Sequence, residues 1–109
     1  MLSIFKQMAG QKVDNISAVE AQELLKDKNT VFVDVREPYE YANGHIAKAS
    51  NIPVGQIKER MNQINKEKQV VVVCASGMRS QRAAGILASE GYNVKNMTGG
   101  MSSWRGKVS

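Results

Sequence analysis

The chain has 109 residues, 42% apolar and 23% charged, which fits one globular domain with a single core and sets intrinsic disorder aside. Fifteen Lys and Arg against ten Asp and Glu give a formal charge of +5; this favours small anionic substrates or acidic protein surfaces. Nucleic acid is not an expected partner, because the basic residues are scattered and few aromatics are available for stacking.

In chain order, Met1 to Gly10 lacks a clear period and is expected to form an irregular arm. It is too short for a signal-peptide core or a membrane span, so no membrane partner and a cytoplasmic location are expected. Val13 to Ile16 suits a first short strand. Ser17-Ala18-Val19-Glu20 is a capping-box pattern, which starts a helix running to about Lys26. Val31 to Arg36 is a second strand, apolar except at its carboxyl end, where Asp34 and Arg36 stand. Rim charges of this kind usually pair with one another. Both are nonetheless secondary site candidates, with Arg36 a second-choice anion contact.

Glu37 to Gly44 reads as a short helix with Pro38 in its first turn. His45 follows, and with no orienting partner in the sequence it is assigned a structural role. Ala49 to Pro53 is an edge strand, since proline cannot serve a central one. Ile57, Met61 and Ile64 recur at helical spacing and predict an amphipathic helix over 55–65.

Val70-Val71-Val72-Val73 is a buried parallel strand, because β-branched residues without polar alternation suit a strand covered on both faces. It runs into Cys74, the only cysteine. A single cysteine and a single histidine allow neither an internal disulfide nor a protein zinc site of the usual kind, so no metal is expected and the thiol is either inert or catalytic. After Cys74 come Ala75, Ser76 and Gly77, then a helix ending at Gly91. Tyr92 to Met97 forms a last strand, Thr98-Gly99-Gly100 turns the chain, and Met101 to Arg105 makes helical turns whose Trp104 packs on the domain.

Strands alternating with helices imply an α/β domain with a parallel sheet and helices on both faces. In such a sheet ligands gather at the carboxyl ends of the strands. A cysteine there, facing loop amides, a helix N-terminus and a cation such as Arg79, is expected to be a thiolate at neutral pH. Taken without its surroundings, a free cysteine is more often a small core hydrophobe. Its place before a small-residue loop decides for chemistry.

These residues resemble the rhodanese-like domains over nearly the whole chain. The matching segments are Val33-Asp34-Val35-Arg36-Glu37, Gly44-His45-Ile46-Ala47 to Asn51-Ile52-Pro53, the Cys74 to Arg79 loop, and Gly91-Tyr92 through Gly99-Gly100 to Trp104. The resemblance implies one rhodanese domain over 1–109, a three-layer fold with a five-stranded parallel sheet, and a sulfurtransferase that needs no cofactor. It implies that Cys74 takes sulfane sulfur from a donor such as thiosulfate, becomes a persulfide, and passes the outer sulfur to a thiophilic acceptor. Ala75, Ser76, Gly77, Met78 and Arg79 would supply the amide ring, with Arg79 closing it and neutralising an anionic donor.

Lys48 stands where the family often has glycine, and Ala75 where many members carry a basic residue. The loss of that cation makes a small thiol persulfide or a protein-bound persulfide a donor comparable to thiosulfate. Two other classes use similar parts. A cysteine phosphatase or arsenate reductase would employ the same anion cradle, but such phosphatases use a loop one residue longer, and no leaving-group acid is evident here. A non-catalytic persulfide-sensing or binding module would need an external thiol to reset it.

Overall fold

A computed structural model describes residues 13–109; the arm expected over 1–10 lies outside the described residues. Five strands, β1 (Asp14–Ile16), β2 (Thr30–Asp34), β3 (Ala49–Asn51), β4 (Gln69–Val73) and β5 (Asn93–Met97), form one sheet in the order β1-β5-β4-β2-β3. Every neighbouring pair is parallel, so each connection must cross over a face of the sheet.

The valine run of β4 lies in the centre and is closed to solvent. Side chains along a strand alternate between its two faces. Val70 and Val72 therefore join one core with Val33, Val35, Ile57, Ala83, Ala84 and Leu87, while Val71 and Val73 join another with Phe32, Ala21, Met97 and Trp104. A strand with a core on each side has no use for polar alternation.

Helix α1 (Ala18–Leu24) opens on the foreseen capping box: the Ser17 hydroxyl accepts the Glu20 N–H at 3.0 Å, and Glu20 accepts the Ser17 N–H at 2.8 Å. Helix α2 (Pro38–Ala42) begins with its proline. His45 stacks on Tyr41, ring centroids 3.7 Å apart, and its Nδ1 lies 2.8 Å from the Tyr41 carbonyl.

The helix expected over 55–65 is broken. Only Ile57–Arg60 is α-helical (α3), flanked by 3-10 turns at Val54–Gln56 and Met61–Gln63. At its end the Met61 carbonyl accepts the Ile64 N–H at 2.9 Å in a 3-10 bond and also the Tyr92 hydroxyl at 2.7 Å. Ile57 and Ile64 still reach the core. The apolar spacing marked the buried face correctly and overstated the regularity of the backbone.

Helix α4 (Met78–Ser89) follows β4 and packs Ala83, Ala84 and Leu87 against it. After β5 the chain turns through Gly99 into a 3-10 turn at Gly100–Ser103. Trp104 is buried in the second core, and its indole N–H donates to the Lys107 carbonyl at 3.2 Å.

Candidate active site

Cys74 is the first residue past β4 and Met78 the first of α4, so four residues, Cys74 to Gly77, carry the chain from a central strand into a helix. So tight a turn needs a left-handed residue, and Gly77 supplies it with φ of 110°. The turn folds the loop back on its own start: the Gly77 N–H donates to Cys74 Sγ at 3.0 Å.

A second loop holds this one from behind. The Met101 N–H donates to the Cys74 carbonyl at 2.8 Å, and the Ser102 N–H and hydroxyl reach the Ala75 carbonyl at 3.1 and 3.0 Å. Gly100 permits that approach. A Cβ there would lie 2.3 Å from the Cys74 oxygen, inside van der Waals contact. With their carbonyls turned to the rear, Cys74 and Ala75 leave the forward side of the loop to N–H groups.

Cys74 is 1% exposed. Burial pushes its thiol pKa up, but the Ser80 hydroxyl and the backbone N–H groups of Ser80, Gly77 and Ser76 pull it down further. The net position is below the ordinary thiol value. This is stabilisation of an anion by donors already in place.

Of the five loop residues predicted from sequence, Ser76 and Gly77 bring their amides to the sulfur. Ala75 anchors the loop to Ser102, and the Met78 side chain points outward, 82% exposed. Arg79 has a partner that the sequence did not announce. Its guanidinium donates to both carboxylate oxygens of Glu40, at 2.7 and 2.9 Å. It still senses the Cys74 charge, which adds to the rise in its own pKa that Glu40 chiefly causes.

Asp34 and Arg36 sit on the same rim, since Asp34 is registered against Val73. They are spent on each other. Arg36 Nε and Nη2 donate to Asp34 at 3.0 and 2.7 Å, Nη2 also reaches the Gly44 carbonyl at 2.8 Å, and both residues are buried. The sequence offered Arg36 as a second anion contact; the structure makes it a tie between loops.

Ser80 and Asn96 were not foreseen. Ser80 is fully buried, its Oγ 3.3 Å from Cys74 Sγ and 2.5 Å from Asn96 Oδ1. Asn96, on β5, uses its amide N–H groups on Asn15 at 3.2 Å and Gln81 at 2.9 Å, which fixes its oxygen towards Ser80. A signal for Ser80 did exist. It is a small polar residue in the first turn of a helix, where backbone N–H groups have no helical partner.

Fold and site together define an α/β domain with one acidified cysteine in an amide cradle at the end of its central strand. The model of the family described as "Rhodanese-like domain" matches residues 17–107, and the chain belongs to that family. It is similar to the thiosulfate sulfurtransferase GlpE of Coxiella burnetii, 36% identical over 91 residues that cover 83% of this chain and 85% of that one. It is also similar to the uncharacterized protein YqhL of Bacillus subtilis, 44% identical over 77 residues; the match covers 70% of this chain but only 61% of YqhL. Among solved structures, the rhodanese-related protein of Thermoplasma volcanium superposes with a TM-score of 0.82 at 33% identity, covering 88% of this chain and 97% of that one.

Proposed function

We propose that this protein is a sulfurtransferase that carries sulfane sulfur on Cys74. The observation that carries this reading is the sulfur's surroundings: the Gly77 N–H at 3.0 Å and the Ser80 hydroxyl at 3.3 Å, on a thiol whose pKa lies below the ordinary value. Membership of the rhodanese-like family and the likeness to a protein named thiosulfate sulfurtransferase support the same chemistry.

The reaction has two displacements. In the first, the Cys74 thiolate attacks the sulfane sulfur of a donor; a new S–S bond forms, the donor's bond to that sulfur breaks, and its electron pair leaves as sulfite from thiosulfate or as a thiolate from a thiol persulfide. In the second, cyanide or a thiolate attacks the outer sulfur of the Cys74 persulfide, and the thiolate of Cys74 departs with its original charge. No external oxidant or reductant is required. The donors that acidify the thiol also stabilise the departing thiolate in the second step, so one cradle serves both halves.

The test is loading without turnover. Native protein incubated with thiosulfate or an alkyl persulfide, then desalted, is expected to gain one sulfur on Cys74 by mass spectrometry and to release it to cyanide as thiocyanate. Cys74→Ser is expected to fold and gain none. Absence of added sulfur with both donors overturns the proposal, while Cys74-dependent hydrolysis of an aryl phosphate would replace it with phosphatase chemistry.

A further inference from the structure

We infer that Glu40 sets the donor class at Cys74: by holding Arg79 it discounts a dianionic donor such as thiosulfate and leaves the site matched to a thiol persulfide. This rests on the sulfur-transfer reading and goes beyond it, to a residue that meets neither the sulfur nor the loop backbone.

The pair joins two elements across the mouth of the site. Glu40 lies on α2 and Arg79 in the first turn of α4. Both guanidinium nitrogens and both carboxylate oxygens are engaged, at 2.7 and 2.9 Å. Glu40 is also fixed at its own end, where Oε1 accepts the Glu37 N–H at 2.9 Å. Arg79 holds its carboxyl at a pKa of about 2, so the carboxylate is charged at any neutral pH. Glu40 takes one N–H from each terminal nitrogen, so a dianion approaching Cys74 finds only the remaining N–H groups of Arg79 and meets the carboxylate's repulsion as well.

The neighbouring positions do not replace the lost cation. Arg36 is buried on Asp34 and the Gly44 carbonyl, and Ala75 is uncharged. What faces the sulfur is a set of amides and one hydroxyl. Such donors suit a single negative charge spread over sulfur, which is what a thiol persulfide brings and what its leaving thiolate carries away. Glu40 is thus a specificity residue, acting through Arg79.

The experiment is steady-state transfer to cyanide from thiosulfate and from 2-hydroxyethyl persulfide, a donor with no charge beyond its sulfur, in native, Glu40→Gln, Glu40→Ala and Arg79→Gln proteins. Glutamine keeps an oxygen for the Glu37 N–H and removes the charge. The expected result is a KM for thiosulfate lowered about two- to fivefold in both Glu40 variants, the range of a partly exposed ion pair. The kcat and the KM for the alkyl persulfide stay unchanged, and Glu40→Gln lowers the thiosulfate KM by a smaller factor when Arg79→Gln is already present. A thiosulfate KM unchanged or raised in both Glu40 variants, with Cys74 still loading, overturns the inference and leaves the sulfur-transfer reading intact. Failure of native protein to load from either donor overturns both.

Discussion

Ser80 has one hydroxyl proton and three neighbours for it: Cys74 Sγ at 3.3 Å, the Gly77 carbonyl at 3.1 Å and Asn96 Oδ1 at 2.5 Å. With the thiol protonated, the S–H can point at Ser80 while the hydroxyl serves Asn96. With the thiolate formed, the hydroxyl gains by turning to the sulfur. Removing either side chain should therefore move the thiol in opposite directions. Ser80→Ala raises the thiol pKa, and the pH midpoint of iodoacetamide alkylation shifts upward. Asn96→Ala removes the shorter competing bond and shifts the midpoint downward; an upward shift in both variants would show that Asn96 only braces the loop. Ser80→Ala also leaves Asn96 Oδ1 without its buried donor, at a stability cost of about 1–3 kcal/mol by urea denaturation. The Ser80–Asn96 bond was not legible in the sequence, because it joins α4 to β5 across 16 residues and no local pattern encodes it. Cys74 was legible for the opposite reason, since its strand, loop and helix follow one another directly.

At the scale of elements, the loop that carries the sulfur is shaped by the loop behind it. Gly100→Ala places a methyl 2.3 Å from the Cys74 carbonyl, and the backbone must move to admit it. The expected outcome is a loss of about 1–3 kcal/mol in stability, with a larger fall in the alkylation rate at neutral pH than in the thermal midpoint, because the displaced carbonyl drags the amide cradle with it. The bridge from α2 to α4 gives a second prediction, with a pH sign. Glu40 has its pKa depressed in the folded state by Arg79, so its contribution is present above the ordinary value of 4.5 and is lost as pH falls towards 2. Being partly exposed, the pair contributes about 0.2–1 kcal/mol. The stability gap between native protein and Glu40→Gln should be open at pH 7, narrow below pH 4.5 and close only as pH falls through about 2 in denaturant titrations; a gap independent of pH would mean that the pair contributes nothing through charge. Sequence marked the starts of these elements well, through Ser17 with Glu20 and through Pro38, since caps are local chemistry. It failed on 55–65, where the backbone tightens into 3-10 turns and Tyr92, distant in the chain, adds a bond to the Met61 carbonyl, and it did not announce the Glu40 partner of Arg79, 39 residues away.

For the molecule as a whole, two cores on either side of one sheet hold β4 rigid, and every strand that β4 does not touch hangs from a neighbour. β1 is one of two such strands, three residues paired only with β5. Yet Asn15, in the middle of β1, is registered against Asn96 and accepts a bond from its amide. Asn15→Ala loosens the grip that aims Asn96 at Ser80, and the alkylation midpoint should follow Asn96→Ala in direction and by a smaller amount. An unchanged midpoint would show that Gln81 alone suffices to orient that amide.

The line from Asn15 through Asn96 and Ser80 to Cys74 crosses the sheet from its outer margin to its middle in three side-chain hydrogen bonds. It makes the Cys74 thiol a gauge of how firmly the margin is seated. Any pull or added strand that lifts β1 away is registered at the sulfur as altered acidity, so chemical labelling of one atom reports on the mechanical integrity of a border it never meets.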